Sequence, residues 1–304
     1  EKWNFTAFGK YYHSYSRGPV SIGDNNVGND TIVSQNVSSW GYGAAGTYYF
    51  LEGLQLKLSY EKALRMPTNG ELFGDGDLEA GSSSLKPERS NNVNVNLSYT
   101  NNFGKHGVYV EGSLIYRNTD DYIKRNLTSV SGTSYGTYVN HGRVVTKGFN
   151  VSLRYSYARL FNVGGTLNSL NARDKEKKRS AETGQSSLTY GQRIPNQPYM
   201  YGNFDVNFYW HNLFAKGNTL IVGWDSFYQH EFPLYWESFG DPSTKHRVPE
   251  QFSHNLSLSY SMKKGRYNLS LECRNITDAD LYDNFSLQKA GRAFYGKVRV
   301  YFGR

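Results

Sequence analysis

Leu54-Gln55-Leu56-Lys57-Leu58-Ser59-Tyr60-Glu61 and Val93-Asn94-Val95-Asn96-Leu97-Ser98-Tyr99 decide the fold. In each, apolar and polar side chains alternate without a slip, the period of a strand whose two faces meet different surroundings. Between them lie Arg65-Met66-Pro67-Thr68-Asn69-Gly70-Glu71-Leu72-Phe73-Gly74-Asp75-Gly76 and Ser84-Leu85-Lys86-Pro87-Glu88-Arg89-Ser90. Proline and glycine at that density exclude a continuous helix or ladder, so the segment loops out between two strands.

Outward from this pair, the same period predicts about 12 strands. The first runs from Lys2 to His13 and the second from Trp40 to Phe50. A fifth carries Val108, Val110, Leu114 and Tyr116 on one face and continues through Tyr122-Ile123, and a sixth runs from about Tyr138 to Tyr157. Later strands centre on Val163 to Asn171, Met200 to Trp210, Leu220 to Tyr228, Phe252 to Tyr260 and Tyr267 to Cys273, and the last carries Phe294, Val298, Val300 and Phe302. Long connections at roughly 14–38, 64–90, 171–198, 230–250 and 275–291, with a medium one near 128–136, alternate with short ones near 51–53, 100–106, 158–162, 211–218 and 262–266. Outer-membrane barrels have this asymmetry, with short periplasmic turns and longer extracellular loops, and it puts both chain ends on the periplasmic side. A soluble β-sandwich has no such two-sided alternation of loop length.

The composition agrees. Of 304 residues, 16% are aromatic and only 38% hydrophobic, and the mean hydropathy of -0.65 argues against a large conventional core. A transmembrane barrel hides its apolar band in alternation. No run approaches the ~18 to 20 apolar residues of a membrane-spanning helix, so a spanning chain has to be a barrel, closed so that every backbone group in hydrocarbon is paired. The net charge of +8 comes from scattered residues. The one dense run, Arg173-Asp174-Lys175-Glu176-Lys177-Lys178-Arg179, mixes signs and reads as a solvated loop tip, so no nucleic-acid partner is expected. Cys273 is the single cysteine, which excludes an intrachain disulfide. No metal or cofactor is expected.

The boxes of the central stretch resemble the signature of TonB-dependent outer-membrane receptors: a strand ending in an aromatic, an Arg-x-Pro box at Arg65, Glu71-Leu72-Phe73, then Leu85-Lys86-Pro87-Glu88 opening the next strand. Asp120-Asp121-Tyr122-Ile123, Tyr138-Val139-Asn140 and Lys147-Gly148-Phe149 are similar to a recurring strand pair of that family. Arg274-Asn275-Ile276-Thr277-Asp278 resembles its penultimate-strand box, and Gly291-Arg292-Ala293-Phe294-Tyr295 the opening of its last strand. Ile276 and Thr277 depart from the usual Leu and aromatic. The wording is closest to receptors of the Bacteroidetes type.

The resemblance implies an all-β, antiparallel transmembrane β-barrel in the outer membrane of a Gram-negative bacterium. Residues 1–304 would be the C-terminal portion, the second half of a barrel of about 22 strands, with the plug domain not in this chain. It implies a receptor, not an enzyme, importing a scarce small-molecule ligand such as an iron-siderophore or cobalamin. Energy would be relayed by the TonB complex through the plug, and outer-membrane lipid and a surface lipoprotein would be further partners. Ligand contacts would come from the long loops, where Arg65, Glu71, Phe73, Arg193, Tyr235, Trp236 and His246 are the candidates. Lys57, Glu61, Glu111, Arg154, Asp205, Glu272 and Arg274 would line the lumen. Two other readings are a passive pore of 12 strands and a barrel hydrolase. The hydrolase has little to build on, since His230 with Ser226 and His246 with Ser243 lack a third group, and adjacent Asp120 and Asp121 face opposite ways on a strand.

Overall fold

The computed structural model describes residues 2–19, 32–75, 78–130, 133–177, 187–238, 246–284 and 286–302. Lys178 and Arg179 of the mixed-charge run, and Ser243, lie outside them. The first strands are β1 (Trp3–Pro19), β2 (Ile32–Leu51) and β3 (Leu54–Arg65), followed by α1 (Asn69–Phe73), β4 (Glu79–Ala80), β5 (Glu88–Phe103) and β6 (His106–Asp120). Then come β7 (Ile123–Val130), β8 (Thr133–Asn140), β9 (Val144–Tyr157), β10 (Phe161–Asp174), β11 (Met200–His211) and β12 (Thr219–Gln229). The chain continues with β13 (Phe232–Pro233), β14 (Arg247–Val248), β15 (Gln251–Met262), β16 (Tyr267–Arg274) and β17 (Ala293–Val300).

Twelve of these strands form one antiparallel sheet in the order β1-β2-β3-β5-β6-β9-β10-β11-β12-β15-β16-β17, so every sheet strand lies beside its sequence neighbour in the sheet. Among the described residues β1 pairs only with β2 and β17 only with β16, which leaves two open edges. Open edges of this length are not tolerated in hydrocarbon, and the sheet has the form of a barrel half.

Register assigns the faces. Leu58, Val95, Leu114 and Phe149 stand opposite one another across four strands, as do Leu97, Gly112, Val151 and Leu167. Leu58, Leu97, Leu114, Leu153, Leu269 and Val298 on this face are exposed, Leu114 at 62% and Val298 at 73%. Aliphatic side chains this exposed over a whole sheet face are stable against lipid and not against water. Cys273 lies on the same face, opposite Leu256 and Phe294. Aromatic pairs edge the apolar band at both ends. Trp3–Tyr48 at 4.3 Å, Tyr157–Phe161 at 6.1 Å and Phe161–Phe208 at 6.0 Å lie toward the short turns, and Tyr11–Trp40 at 5.0 Å and Tyr228–Phe252 at 6.2 Å toward the long loops. Such girdles place amphipathic rings at the headgroup level.

The other face is wet and mutually satisfied. Asn96 donates to Ser113 at 2.8 Å, Asn150 to Asn168 at 2.6 Å and Asn255 to Asp225 at 2.7 Å. Among the described residues six of the seven expected lumen charges, all but Lys57, have partners: Glu61 pairs with Lys10 at 2.6 Å, Arg154 with Asp205 at 3.5 Å and Arg274 with Glu272 at 2.7 Å, while Tyr109 donates to Glu111. Lys10 reaches Glu61 over Gly41 and Gly43, which leave that part of β2 bare.

Three expected boundaries shift. The sixth strand is two: β8 ends at Asn140, Gly142 adopts φ +95, and only β9 joins the large sheet. The fifth ends at Asp120, because Asp121 turns the chain at φ 54 and Ile123 begins β7. The β7–β8 hairpin therefore stands on the extracellular rim as a small sheet with β4. The first long connection is mostly ladder, with Pro19 paired to Ile32. A span needs about 9 to 11 residues, so strands of 17 and 20 residues rise well beyond the bilayer. The short turns fall where expected. At Gly53, with φ +80, an added Cβ would sit 1.9 Å from the Thr100 carbonyl oxygen, so no other residue fits.

Candidate functional site

The long loops converge at one end and are held by three buried clusters. The first contains Leu72, Leu85 and Ile123, with Phe73 and Tyr138 against it. Its scaffold is α1, which Thr68 and Glu71 open with a reciprocal capping box. Arg65 closes it: Nη1 donates to both Glu71 oxygens at 3.0 Å, and Nε lies 3.0 Å from Glu88. Glu88 Oε1 also accepts from the Ile123 amide at 2.8 Å, which carries the clamp into the β7–β8 hairpin. Asn140 completes the link, accepting from the Lys86 amide at 2.7 Å and donating to the carbonyls of Lys86 and Asp121. The boxes of the central stretch thus form one joint, in which the Arg65 guanidinium bridges Glu71 to Glu88, 23 positions from Arg65 itself.

The second cluster, Val144, Ala172 and Ile194, is flanked by Tyr122 and Trp236. Beside it, polar groups are buried together. Asp174 has no exposed surface and accepts from the Thr189 hydroxyl at 2.5 Å and the Glu176 amide at 2.7 Å. Lys124 lies over the Trp236 ring at 4.5 Å, and the His141 and Trp236 rings are 5.1 Å apart. His141 Nε2 is 3.2 Å from Asp174 yet not aligned for a hydrogen bond. Burial pushes the Lys124 ammonium down to about 8, with Asp174 pulling the other way, and burial likewise holds His141 below its ordinary value, again opposed by Asp174.

Both shifts give the loops less affinity for protons when packed than when open. The packed state is favoured fully above the ordinary imidazole value of 6.5 as far as His141 is concerned, and loses that share as pH falls from there to the lowered pKa. Lys124 adds stability as pH rises through the window from about 8 to 10.5. Amide protection of His141 and Tyr122, which bond to Tyr122 and Gly142 carbonyls, is expected to be severalfold lower at about pH 5.5 than at about pH 7.5. A protection factor flat across that interval would remove His141 from the joint.

The third cluster, Phe232, Leu234 and Val248, is flanked by Tyr199 and Tyr282. Arg193 lies 3.5 Å over the Tyr199 ring and donates to Asn171 at 3.1 Å. Arg65, Glu71, Phe73, Arg193 and Trp236 are therefore all engaged in holding loops to one another. Tyr235 is 47% exposed, and its ring meets that of exposed His246 at 6.4 Å. Lys124, His141 and Asp174 were not among the sequence candidates. Asn140 belongs to the Tyr138-Val139-Asn140 box, a local sequence signal of this joint. His230 contacts Tyr228 and Glu250, and Ser226 pairs with His254 at 2.7 Å rather than with His230. Among the described residues no group of three or more His, Cys, Asp or Glu is placed to hold a metal.

Residues 1–276 match the family described as TonB dependent receptor-like, beta-barrel. No curated protein matches the chain. Among solved structures, it is similar to the ferric citrate transporter FecA in its unliganded form, with a TM-score of 0.67 and 16% identity over 98% of this chain and 42% of that one. It is similar to the ferric-catecholate import receptor Fiu from E. coli K12, with a TM-score of 0.66 and 15% identity over 99% and 42%. For the copper transporter OprC the TM-score is 0.66 and the identity 12%, over 98% and 45%. The chain spans less than half the length of each of these proteins.

Proposed function

We propose, because this chain belongs to the TonB-dependent receptor β-barrel family of the Gram-negative outer membrane, that it forms the C-terminal strands of an importer of a scarce small molecule. The whole barrel has about 22 strands, and the two open edges of β1 and β17 meet the remaining ones. Those unpaired edges favour this reading over a passive pore closed by twelve strands. Import by such a barrel needs no covalent step: the loops bind, a plug blocks the lumen, and TonB supplies the work of opening. The paired charges on the wet face, Arg154–Asp205 and Lys10–Glu61, are the wall against which a plug would rest.

The observation that carries the binding role is the Tyr235–His246 pair, the sequence candidates that the loop joints leave open to solvent. Two rings with polar tips suit an oxygen-rich ligand such as an iron-siderophore, and cobalamin is the second ligand class to test. A surface lipoprotein is a further partner to look for in pull-downs. In a deletion strain carrying the receptor gene, Tyr235→Ala with His246→Ala is expected to lower uptake of labelled ligand about tenfold, the loss of roughly 1.4 kcal/mol of contact. Unchanged uptake of ferric siderophores and cobalamin on deleting the gene itself would count against import.

A further inference from the structure

The short turns are basic. Residues 51–53, 100–106, 158–162, 211–218 and 262–266 hold six lysines and arginines and a single carboxylate, Glu52. Four of the six gather on two neighbouring turns: Lys216 between β11 and β12, and Lys263, Lys264 and Arg266 between β15 and β16. The two turns are joined, since the Lys263 amide donates to Asn218 Oδ1 at 3.0 Å and the Lys264 amide to the Gly217 carbonyl at 3.1 Å. Among the described residues none of these four cations pairs with a carboxylate. Arg266 Nε is buried without a hydrogen-bond partner.

The backbone holds the lysines in a strained place. Gly265 donates its amide to the Met262 carbonyl at 3.1 Å, closing a turn whose central residues, Lys263 and Lys264, both lie in the left-handed region at φ 48 and 57. Such a turn favours Asn-Gly, because a Cβ is crowded there. Local folding does not account for lysine at both positions, and strain of this kind points to a use.

The cations sit on the lipid-facing side. Lys263 Nζ lies 5.5 Å over the Tyr267 ring and the Arg266 guanidinium 5.7 Å from it, and Tyr267 continues along β16 into Leu269 and Leu271 on the apolar face. Beside them Phe214, 88% exposed and at φ 64, turns its ring against Tyr260 at 6.1 Å. Tyr260 is on the same face, opposite Leu220 and Leu269, and its hydroxyl donates to the Leu213 carbonyl at 3.1 Å, which fixes the turn. A phenylalanine this bare is stable among acyl chains and not in water. Short turns face the periplasm, so rings and cations together stand at the headgroup level of the periplasmic leaflet.

The geometry points to a binding site for an anionic phospholipid of the periplasmic leaflet that carries two phosphates on a shared glycerol. Its phosphates lie among Lys216, Lys263, Lys264 and Arg266, and its acyl chains against Phe214 and Tyr260. A single phosphate would leave most of the charge on the two turns unmatched, and an acidic protein or soluble polyanion would leave Phe214 in water. The site rests on the membrane placement and is independent of what the lumen imports.

The test uses the whole receptor purified from outer membrane in detergent. It is offered cardiolipin, phosphatidylglycerol and phosphatidylethanolamine, and bound lipid is counted by native mass spectrometry. Cardiolipin is expected to be retained in preference to the other two. Each cation near a membrane surface contributes about a fivefold factor, so Lys263→Asn with Lys264→Gly is expected to lower cardiolipin retention about 25-fold. Because Asn-Gly relaxes the turn, the same variant is expected to keep its thermal stability in lipid-free detergent, which separates lost binding from lost folding. Phe214→Ala is expected to weaken retention severalfold with all four cations in place. Lys62→Ala with Lys147→Ala, toward the long loops on β3 and β9, is expected to leave it unchanged. Retention of phosphatidylglycerol equal to that of cardiolipin by the unaltered protein, or full cardiolipin retention by the Asn-Gly variant, would overturn the site. Uptake measured in parallel separates the readings, since lost import with lipid preference intact speaks against the importer alone.

Discussion

Replacing Arg65 with alanine is expected to free the extracellular loops while the sheet stays intact. Among the described residues the guanidinium is the one group that ion-pairs with both Glu71 and Glu88, and those carboxylates are only 14% and 13% exposed. Removing it leaves two largely buried anions side by side with backbone amides but no counter-ion, at a cost of about 3 kcal/mol. Amide exchange at Leu72 and Gly74, whose N–H groups bond to Thr68 and Gly70 carbonyls in α1, should accelerate about 100-fold. Exchange in β5 and β6 should not change. Lysine at position 65 restores the charge but cannot fork to both carboxylates, so it is expected to recover only part of the protection. If alanine leaves Leu72 and Gly74 as slow as before, the clamp has no mechanical role.

The second large effect is expected on the sheet. Leu153 is 54% exposed at the middle of the apolar face, and Leu153→Arg should destabilise the folded barrel in bilayers by about 2 to 4 kcal/mol, the cost of a cation at the membrane midplane. Asn150→Arg, three residues earlier on the same strand and on the wet face beside Asn168, should change stability by less than about 1 kcal/mol. Urea titration of the barrel reconstituted in vesicles compares the two. The contrast matters more than either value, because both substitutions add the same side chain to β9.

The barrel was readable because a membrane strand must alternate. Leu54 to Glu61 and Val93 to Tyr99 pair with each other as the period requires, and the twelve-stranded sheet and its short turns lie where alternation and glycine put them. What stayed hidden lies above the bilayer. Ser14, Ser16, Ser34 and Ser38 belong to β1 and β2, yet where both faces are wet no polarity difference marks the strand. The β7–β8 hairpin shares its period with the sheet, so only Asp121 and Gly142, turning at φ 54 and +95, separate it from β6 and β9.

The loop joints were legible as words and not as contacts. Arg65, Glu71 and Glu88 stood in the quoted boxes, but that they meet is set by α1 and by the register of β3 with β5. Lys124, His141 and Asp174 come from three separate segments, and the burial of Asp174 arises only when those segments pack. Local sequence carries no trace of such a meeting. Arg193 and Trp236 read as loop residues facing a ligand, and the packing directs them at Tyr199 and Lys124.

The account depends on one face of the sheet touching hydrocarbon and the other water. Nitroxide labels placed singly at Leu114, Leu153, Leu258 and Leu269, and at Asn96, Asn150, Ser257 and Asn268, of the receptor in lipid vesicles measure this directly. The first set should collide readily with dissolved oxygen and hardly at all with a water-soluble nickel complex, and the second set should show the reverse. Equal access of the nickel complex to both sets would contradict the membrane placement.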